Sequence, residues 1–191
     1  MISIYRKLEE ILKRKDIPND AKAAIIAAFK EIEFLAIHDA LTGLYNRAYY
    51  ENEIRRIEKD RADYSVSFIM LDIDNLKYVN DTYGHTTGDI LIISVSQTLK
   101  NNFRETDLVA RIGGDEFAVV LPKVELCTIE NKITLLQDEL KNYRTEDGLN
   151  PEVSIGSAYG PNKQIRRLIM EADRAMYLNK LKHKESKEEA R

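Results

Sequence analysis

The sequence contains one cysteine, Cys127. A lone thiol cannot close an intramolecular disulfide or build a multi-cysteine zinc site, and it reads as a small apolar filler. No apolar run approaches the roughly 18 to 20 residues that span a bilayer. The N-terminus sets Arg6, Lys7, Glu9 and Glu10 among its apolar residues, so it lacks the apolar region of a signal peptide. Charge of one sign is also missing: 29 basic residues against 32 acidic ones leave a formal net charge of −3. No global field then draws the chain to nucleic acid or to anionic lipid, and any phosphate binding has to be local. A soluble cytoplasmic protein with no nucleic-acid or membrane partner is the expectation.

What is present is a chain of 191 residues, 43% hydrophobic, enough for one sizeable core. Residues 1–38 read as two helices. Tyr5, Leu8, Ile11 and Leu12 follow the spacing of one helical face. Pro18 breaks that helix, and Asn19 or Asp20 can cap the next. The second helix carries Ile25, Ala28, Ile32 and Leu35 at coiled-coil spacing. The seam fits a helix packed on its own domain and equally a contact with a second copy. His38 to Arg47 interrupts the helical pattern with the turn and cap residues Asp39, Thr42, Gly43 and Asn46.

An amphipathic helix over Ala48–Asp60 follows, anchored by Tyr49, Ile54 and Ile57. Tyr64–Asp74 begins in alternation and ends in a continuous apolar run, as a central strand does. Asp72 and Asp74 fall two apart, on one strand face. A carboxylate closing a buried strand is costly without a partner, and a cation is the obvious one; caps for the following turn are the alternative. A short helical turn over Asn75–Asp81 leads into a long helix that starts at Thr87 or Asp89, with Ile90, Ile93, Val95 and Leu99 inward. Leu108–Ile112 and Phe117–Leu121 read as two strands of a tight hairpin around the pair Gly113-Gly114. The spacing predicts a further helix over Thr128–Tyr143, a strand over Glu152–Tyr159, and a last helix from Asn162 to about Lys180 with Ile165, Leu168, Ile169, Ala172 and Met176 as its buried stripe. From Leu181 the chain is a charge run, read as a frayed and solvated tail. Helices alternate with strands around an antiparallel hairpin, which favours an α+β, ferredoxin-like sheet with helices packed on it.

If the strand ending in Asp72 neighbours the hairpin, Asp72 and Asp115 converge. Two hard oxygen ligands suit Mg²⁺, which keeps its other positions for water and phosphate; such a site serves phosphoryl or nucleotidyl transfer. Two competing motifs fail. An EF-hand loop counted from Asp72 meets Lys77 and Tyr83 where it needs Gly and Glu, and the Gly84–Gly88 segment lacks the Lys-Ser/Thr of a phosphate-binding P-loop.

Three strings, in order, carry a resemblance: D-x-L-T-x-L-x-N-R at Asp39–Arg47, D-I-D-x-x-K-x-x-N-D-x-x-G-H-x-x-G-D at Asp72–Asp89, and G-G-D-E-F at Gly113–Phe117. Together they resemble the GGDEF domain of diguanylate cyclases, over Asp39 to about Lys180. The resemblance implies a palm-like fold, two GTP condensing to cyclic di-GMP with release of two pyrophosphates, and Mg²⁺ (or Mn²⁺) as cofactor. It implies domains at 1–38 (helical, for dimerisation), 39–180 (catalytic) and 181–191 (charged tail). By position, Asp72, the Ile73 carbonyl, Asp115 and Glu116 hold the metal, and Asp115 accepts the proton of the attacking 3′-hydroxyl. Gly113 and Gly114 let the nucleotide approach the backbone. Lys77 steadies phosphate charge in the transition state, and Asn80 and Asp89 read guanine. His85 matches a substrate contact or serves its turn. Lys180 matches a phosphate-binding lysine. The pattern departs at Lys184, which stands where the family has an Arg and loses its bidentate fork. Arg104 and Asp107 match the R-x-x-D site that grips the product, cyclic di-GMP; a surface ion pair is the bland alternative. One GTP per domain implies a homodimer, which favours the contact reading of Ile25, Ile32 and Leu35.

Three other functions fit parts of the pattern. Asp89 argues against a relaxed-specificity cyclic dinucleotide synthase. Intact Asp72, Asp115 and Glu116 argue against a non-catalytic GTP or cyclic di-GMP receptor. A purely structural metal domain leaves Lys77, Asn80 and Asp89 unexplained.

Overall fold

A computed structural model of the chain describes residues 2–124, 126–146 and 148–189. The side chains of Tyr5 and Cys127, expected to face inward, lie outside the described residues. The chain divides into two compact units, Met1–Ile37 and His38–Arg191. The first holds helices α1 (Ile2–Leu12) and α2 (Asn19–Ile37). No described residue of α2 is buried, and Ile32 and Leu35 on its seam are exposed. No helix among the described residues is long and apolar enough to cross a membrane.

In the second unit the order is β1 (Tyr45–Asn46), α3 (Arg47–Lys59), β2 (Ser65–Ile73), α4 (Leu76–Tyr83), α5 (His85–Asn102), β3 (Leu108–Arg111), β4 (Glu116–Pro122), α6 (Leu126–Asn142), β5 (Val153–Pro161), a 3-10 turn over Asn162–Gln164 and α7 (Ile165–Glu189). The five strands form one sheet in the order β1-β3-β4-β2-β5. β1 runs parallel to β3; every other pairing is antiparallel. This is the expected α+β architecture, with β1 as an addition. Two residues give no periodicity to read, and β1 is held by Ala110–Arg111 far along the chain and, at Tyr45, by a bridge to His38.

β2 is central, and each face is covered. Side chains alternate across a strand, so Ile69, Leu71 and Ile73 pack with Val95 and Leu99 of α5 and with Ile129, Leu136 and Leu140 of α6. Val66, Phe68 and Met70 pack on the other face with Ile54 and Ile57 of α3 and with Ile165, Leu168, Ala172 and Met176 of α7. Two helices depart from the expected faces. Ile90 is exposed, and Leu91 and Ile92 turn inward in its place; α5 also begins at His85, ahead of the expected Thr87 or Asp89. In α3 the expected Tyr49 packs only partly buried against the core, and Tyr50 beside it is the buried tyrosine, set edge-on to Phe68. α7 also differs: it runs on to Glu189, so the charge run after Lys180 is helical and not frayed.

α7 lies close on β5 because Gly156 has no side chain. A Cβ there would stand 2.1 Å from both Ala172 O and Met176 N. Overpacking of this kind costs about 1–3 kcal/mol, so Gly156→Ala should lower unfolding free energy in urea by about that amount. An unchanged midpoint would mean that α7 and β5 do not approach this closely.

Candidate active site

The antiparallel register of β2 and β4 sets Asp72 directly opposite Glu116. One step further, the Ile73 N–H donates to Asp115 O at 3.0 Å. The end of the central strand and the hairpin tip thus meet, as the sequence predicts. The chain turns from β2 into α4 through Asn75, which takes the left-handed conformation, φ 58°. That sharp turn leaves Asp72, Ile73 and Asp74 at the open end of the sheet.

The hairpin is held by a residue that motif reading passed over. Arg111 donates from Nη2 to Gly114 O at 2.8 Å and from Nη1 to Asp39 Oδ1 at 3.1 Å. Asp39 is itself fixed by the Thr42 N–H and hydroxyl, at 2.9 and 2.7 Å. The D-x-L-T turn therefore acts as a post for the hairpin tip. Arg111 stands two residues before the G-G-D-E-F string, but its partner lies 72 residues away, and no local pattern signals that.

The two glycines differ from expectation. Neither Gly113 nor Gly114 has a positive φ, so backbone freedom is not what demands them. A Cβ on Gly113 would come 2.4 Å from Glu116 Oε2; one on Gly114 would meet nothing within 4 Å. Gly113 makes room for the glutamate, and Gly114 leaves open space beside Asp115.

Opposite charges and like charges compete here. Lys180 Nζ on α7 donates to Asp72 Oδ1 at 2.5 Å. Burial pushes the Asp72 carboxyl above its ordinary range; Lys180 pulls it back only in part, and Asp115 and Asp74 add to the rise. Burial alone would lower Lys180, but the bond to Asp72 and the surrounding carboxylates hold it above its usual value. Glu116 is raised by burial and then by Asp115, Asp72 and Asp173. Carboxylates that raise one another lack positive charge. A divalent cation would supply it, with Asp72, Asp115, Glu116 and the Ile73 carbonyl as donors. Among the described residues no three His, Cys, Asp or Glu side chains are gathered for a metal. Mg²⁺ is commonly held by only one or two carboxylates, its other positions going to water and substrate phosphate, so Asp72 with one hairpin carboxylate and the Ile73 carbonyl would be enough for it.

The remaining candidates lie around this end. Asn80 on α4 and Asp89 on α5 lie on either side of a corner made by Gly84 at φ 87°. The Asn80 carboxamide packs over Gly88, where a Cβ would stand 1.9 Å from its Oδ1. Lys77, His85 and Asp89 are exposed. Lys184 lies one turn beyond Lys180 on α7 and borders a cleft with it. Arg104 and Asp107 sit in the turn before β3, apart from this group. Asp107 Oδ2 accepts from the Arg104 backbone N–H at 2.9 Å, and no ion pair joins the two side chains among the described residues. Asp74, read beforehand as another carboxylate seeking a cation, instead meets Ser154 and His183.

A family model described as "Diguanylate cyclase, GGDEF domain" matches residues 36–186. The chain belongs to the GGDEF family. The uncharacterized protein YtrP of Bacillus subtilis is 39% identical over 151 residues, 76% of this chain and 25% of that protein. The diguanylate cyclase TpbB of Pseudomonas aeruginosa is 35% identical over 156 residues, 76% of this chain and 35% of TpbB. The chain thus spans well under half the length of these curated relatives. Among solved structures, the coiled coil and GGDEF domain of DgcB from Caulobacter crescentus, in complex with c-di-GMP, superposes with a TM-score of 0.75 at 26% identity, covering 83% of this chain and 87% of that one. The GGDEF domain of TpbB superposes at 0.66 with 32% identity, over 76% and 89%. The mixed sheet with flanking helices is the palm-like GGDEF fold, and the family's chemistry is cyclic di-GMP synthesis.

The crowding of carboxylates makes a prediction for the metal-free protein. Glu116 titrates above its ordinary value of 4.5 in the folded state, so its ionised form costs stability at every pH above that raised value. Glu116→Gln should raise the melting temperature at pH 7. The gain should shrink as pH falls through the raised value towards 4.5, where the wild-type carboxyl takes up its proton. A gain that grows on acidification would contradict this arrangement.

Proposed function

We propose that this GGDEF domain is an active diguanylate cyclase that condenses two GTP into cyclic di-GMP, depends on Mg²⁺ (or Mn²⁺), works as a homodimer and is inhibited by its product. The observation that carries the reading is the β2–β4 register, which puts Asp72 opposite Glu116 and Ile73 against Asp115 at the open sheet end, beside Lys180.

Asp72, the Ile73 carbonyl, Asp115 and Glu116 are the residues that would hold the metal. When bound, the cation offsets the charge that develops on the transferring phosphoryl group. Asp115 takes the proton of the 3′-hydroxyl as that oxygen bonds to the α-phosphorus of the facing GTP. The bond to pyrophosphate breaks, and Lys77, Lys180 and Lys184 meet the charge of the leaving group. The same step in the opposite sense closes the ring and releases the second pyrophosphate. Asn80 and Asp89 select guanine, since a carboxylate accepts from the N1 and 2-amino donors that adenine lacks, and His85 borders the same substrate. Gly113 and Gly114 leave the nucleotide room to lie on the hairpin backbone. Each domain holds one GTP, so a second chain completes the centre, and residues 1–38, with Ile25, Ile32 and Leu35, form the contact that pairs the chains. Residues 39–180 carry the catalytic machinery. Arg104 and Asp107 grip a guanine of the product; their separation from the metal end supports a regulatory place for them.

Incubation with GTP and Mg²⁺, and then with GTP plus ATP, followed by mass analysis, should yield cyclic di-GMP alone. Asp115→Asn should lower turnover by about 10² to 10⁴-fold while leaving the melting curve intact. GTP binding without any cyclic dinucleotide at high enzyme concentration would favour the receptor reading instead. Arg104→Ala should raise the product concentration that half-inhibits the enzyme by about tenfold, the loss of one charge-assisted grip. Unchanged inhibition would remove the R-x-x-D assignment.

A further inference from the structure

Beyond Lys180, α7 continues for more than two further turns to Glu189, and side chains with no part in the chemistry above fasten it down. Asp74, just past the end of β2, is buried. Its carboxylate accepts from Ser154 Oγ, at 2.7 and 3.0 Å to its two oxygens, and lies 2.7 Å from His183 Nδ1. The partners fix the imidazole's protons. The Ile155 N–H donates to Asn179 Oδ1 at 2.8 Å. That leaves the Asn179 amide nitrogen facing His183 Nε2 at 3.3 Å. An amide nitrogen only donates, so Nε2 is an acceptor, and the proton is on Nδ1, aimed at Asp74. The bonds run unbroken from the β5 backbone through Asn179 and His183 to the end of β2. Asn179 and His183 are one turn apart on α7, so both strand ends grip the same helix face.

The neighbouring stripe of α7 carries Lys180, Lys184 and Lys187, at i, i+4 and i+7. All three line one cleft of about 160 Å³, together with Asp74, His183, the left-handed Asn75 and, at its far end along α7, Glu188. Carboxylates at the margin hold two of the lysines: Asp72 takes Lys180, and Glu152 takes Lys187. Three ammonium groups spaced along a single helix face match an elongated polyanion better than a single phosphate.

We propose that His183 is a positioning residue for a polyphosphate cradle. Seated on Asp74 and Ser154, it holds the α7 extension so that Lys180, Lys184 and Lys187 face one cleft, and Lys187 is the third cation of that cleft. The inference rests on the reading of this end of the sheet as a nucleoside-triphosphate site. Without the imidazole, Asp74 loses a donor and α7 loses its tie to the end of β2; the Lys187–Glu152 pair alone then holds the helix end, and Lys184 loses its fixed aim between Lys180 and Lys187. The guanine-facing corner at Asn80 and Asp89 belongs to α4 and α5 and stays as it is.

The experiment compares His183→Leu, which keeps bulk but no polar atoms, with His183→Gln, which has one donor for Asp74 and one acceptor for Asn179. Calorimetry on the full chain measures affinity for inorganic tripolyphosphate with Mg²⁺ and, separately, for guanosine. His183→Leu should weaken tripolyphosphate binding by about tenfold, the loss of one charge-assisted bond, and leave guanosine binding unchanged. His183→Gln should restore most of the loss, and Lys187→Gln should reproduce part of it. In turnover the Leu variant should raise KM for GTP and also lower kcat, because Lys184 meets the charge of the leaving group. Unchanged tripolyphosphate affinity in His183→Leu would overturn the proposal, and so would equal loss of guanosine binding, which marks general disorder. A wild-type chain that binds tripolyphosphate with this dependence on His183 but forms no cyclic dinucleotide would leave the cradle standing and sink the cyclase reading alone.

Discussion

Two buried carboxylates stand at the end of the central strand, and the rest of the second unit is arranged so that neither is stranded. Ionised side chains are expelled from apolar interiors unless they find partners. Asp72 meets the Lys180 ammonium, and Asp74 meets Ser154 and His183. All of those partners arrive from β5 and α7, far along the chain. Because α7 must reach both carboxylates, it has to lie flat on β5, and Gly156 makes that approach possible. The glycine, the strand ends and the helix are therefore parts of one solution to the same desolvation problem.

The two halves of that solution serve different ends. Asp72 is only partly satisfied: Lys180 offsets its burial, but Asp115 and Glu116 keep the local charge negative. A site left short of positive charge is ready for a cation and a phosphate. Asp74 is occupied by the Ser154 hydroxyl and the His183 imidazole. Two residues apart on one strand, the first carboxylate is kept available and the second is tied into the scaffold.

Much of this was legible in the sequence, for reasons that differ by element. The strands around Phe68 and Val119 and the stripe of α7 announce themselves through hydrophobic periodicity. The meeting of Asp72 with the hairpin follows once those strands are taken as neighbours, and the spaced motifs name the family. What stayed hidden depends on distant partners. β1 has two residues and no pattern of its own. Arg111 and Asp39 are joined across 72 residues. His183 sits in a run of charges that looks like a solvated tail, yet its partners are a buried carboxylate and an asparagine one turn back. The glycines of the hairpin were placed correctly for a different reason: Gly113 is small to clear Glu116, not to free its backbone.

The bond from Ile155 to Asn179 has one more consequence. β5 pairs with β2 on one side only, so its far side is a sheet edge nine residues long. Such an edge is a template on which a foreign strand can add, the first step of aggregation. The Ile155 N–H is taken by Asn179, and Pro161 at the strand's end has no N–H to offer. An incoming strand would find that N–H already occupied and no donor at the strand's end. The contact that orients an imidazole thus also takes one donor out of an exposed strand edge.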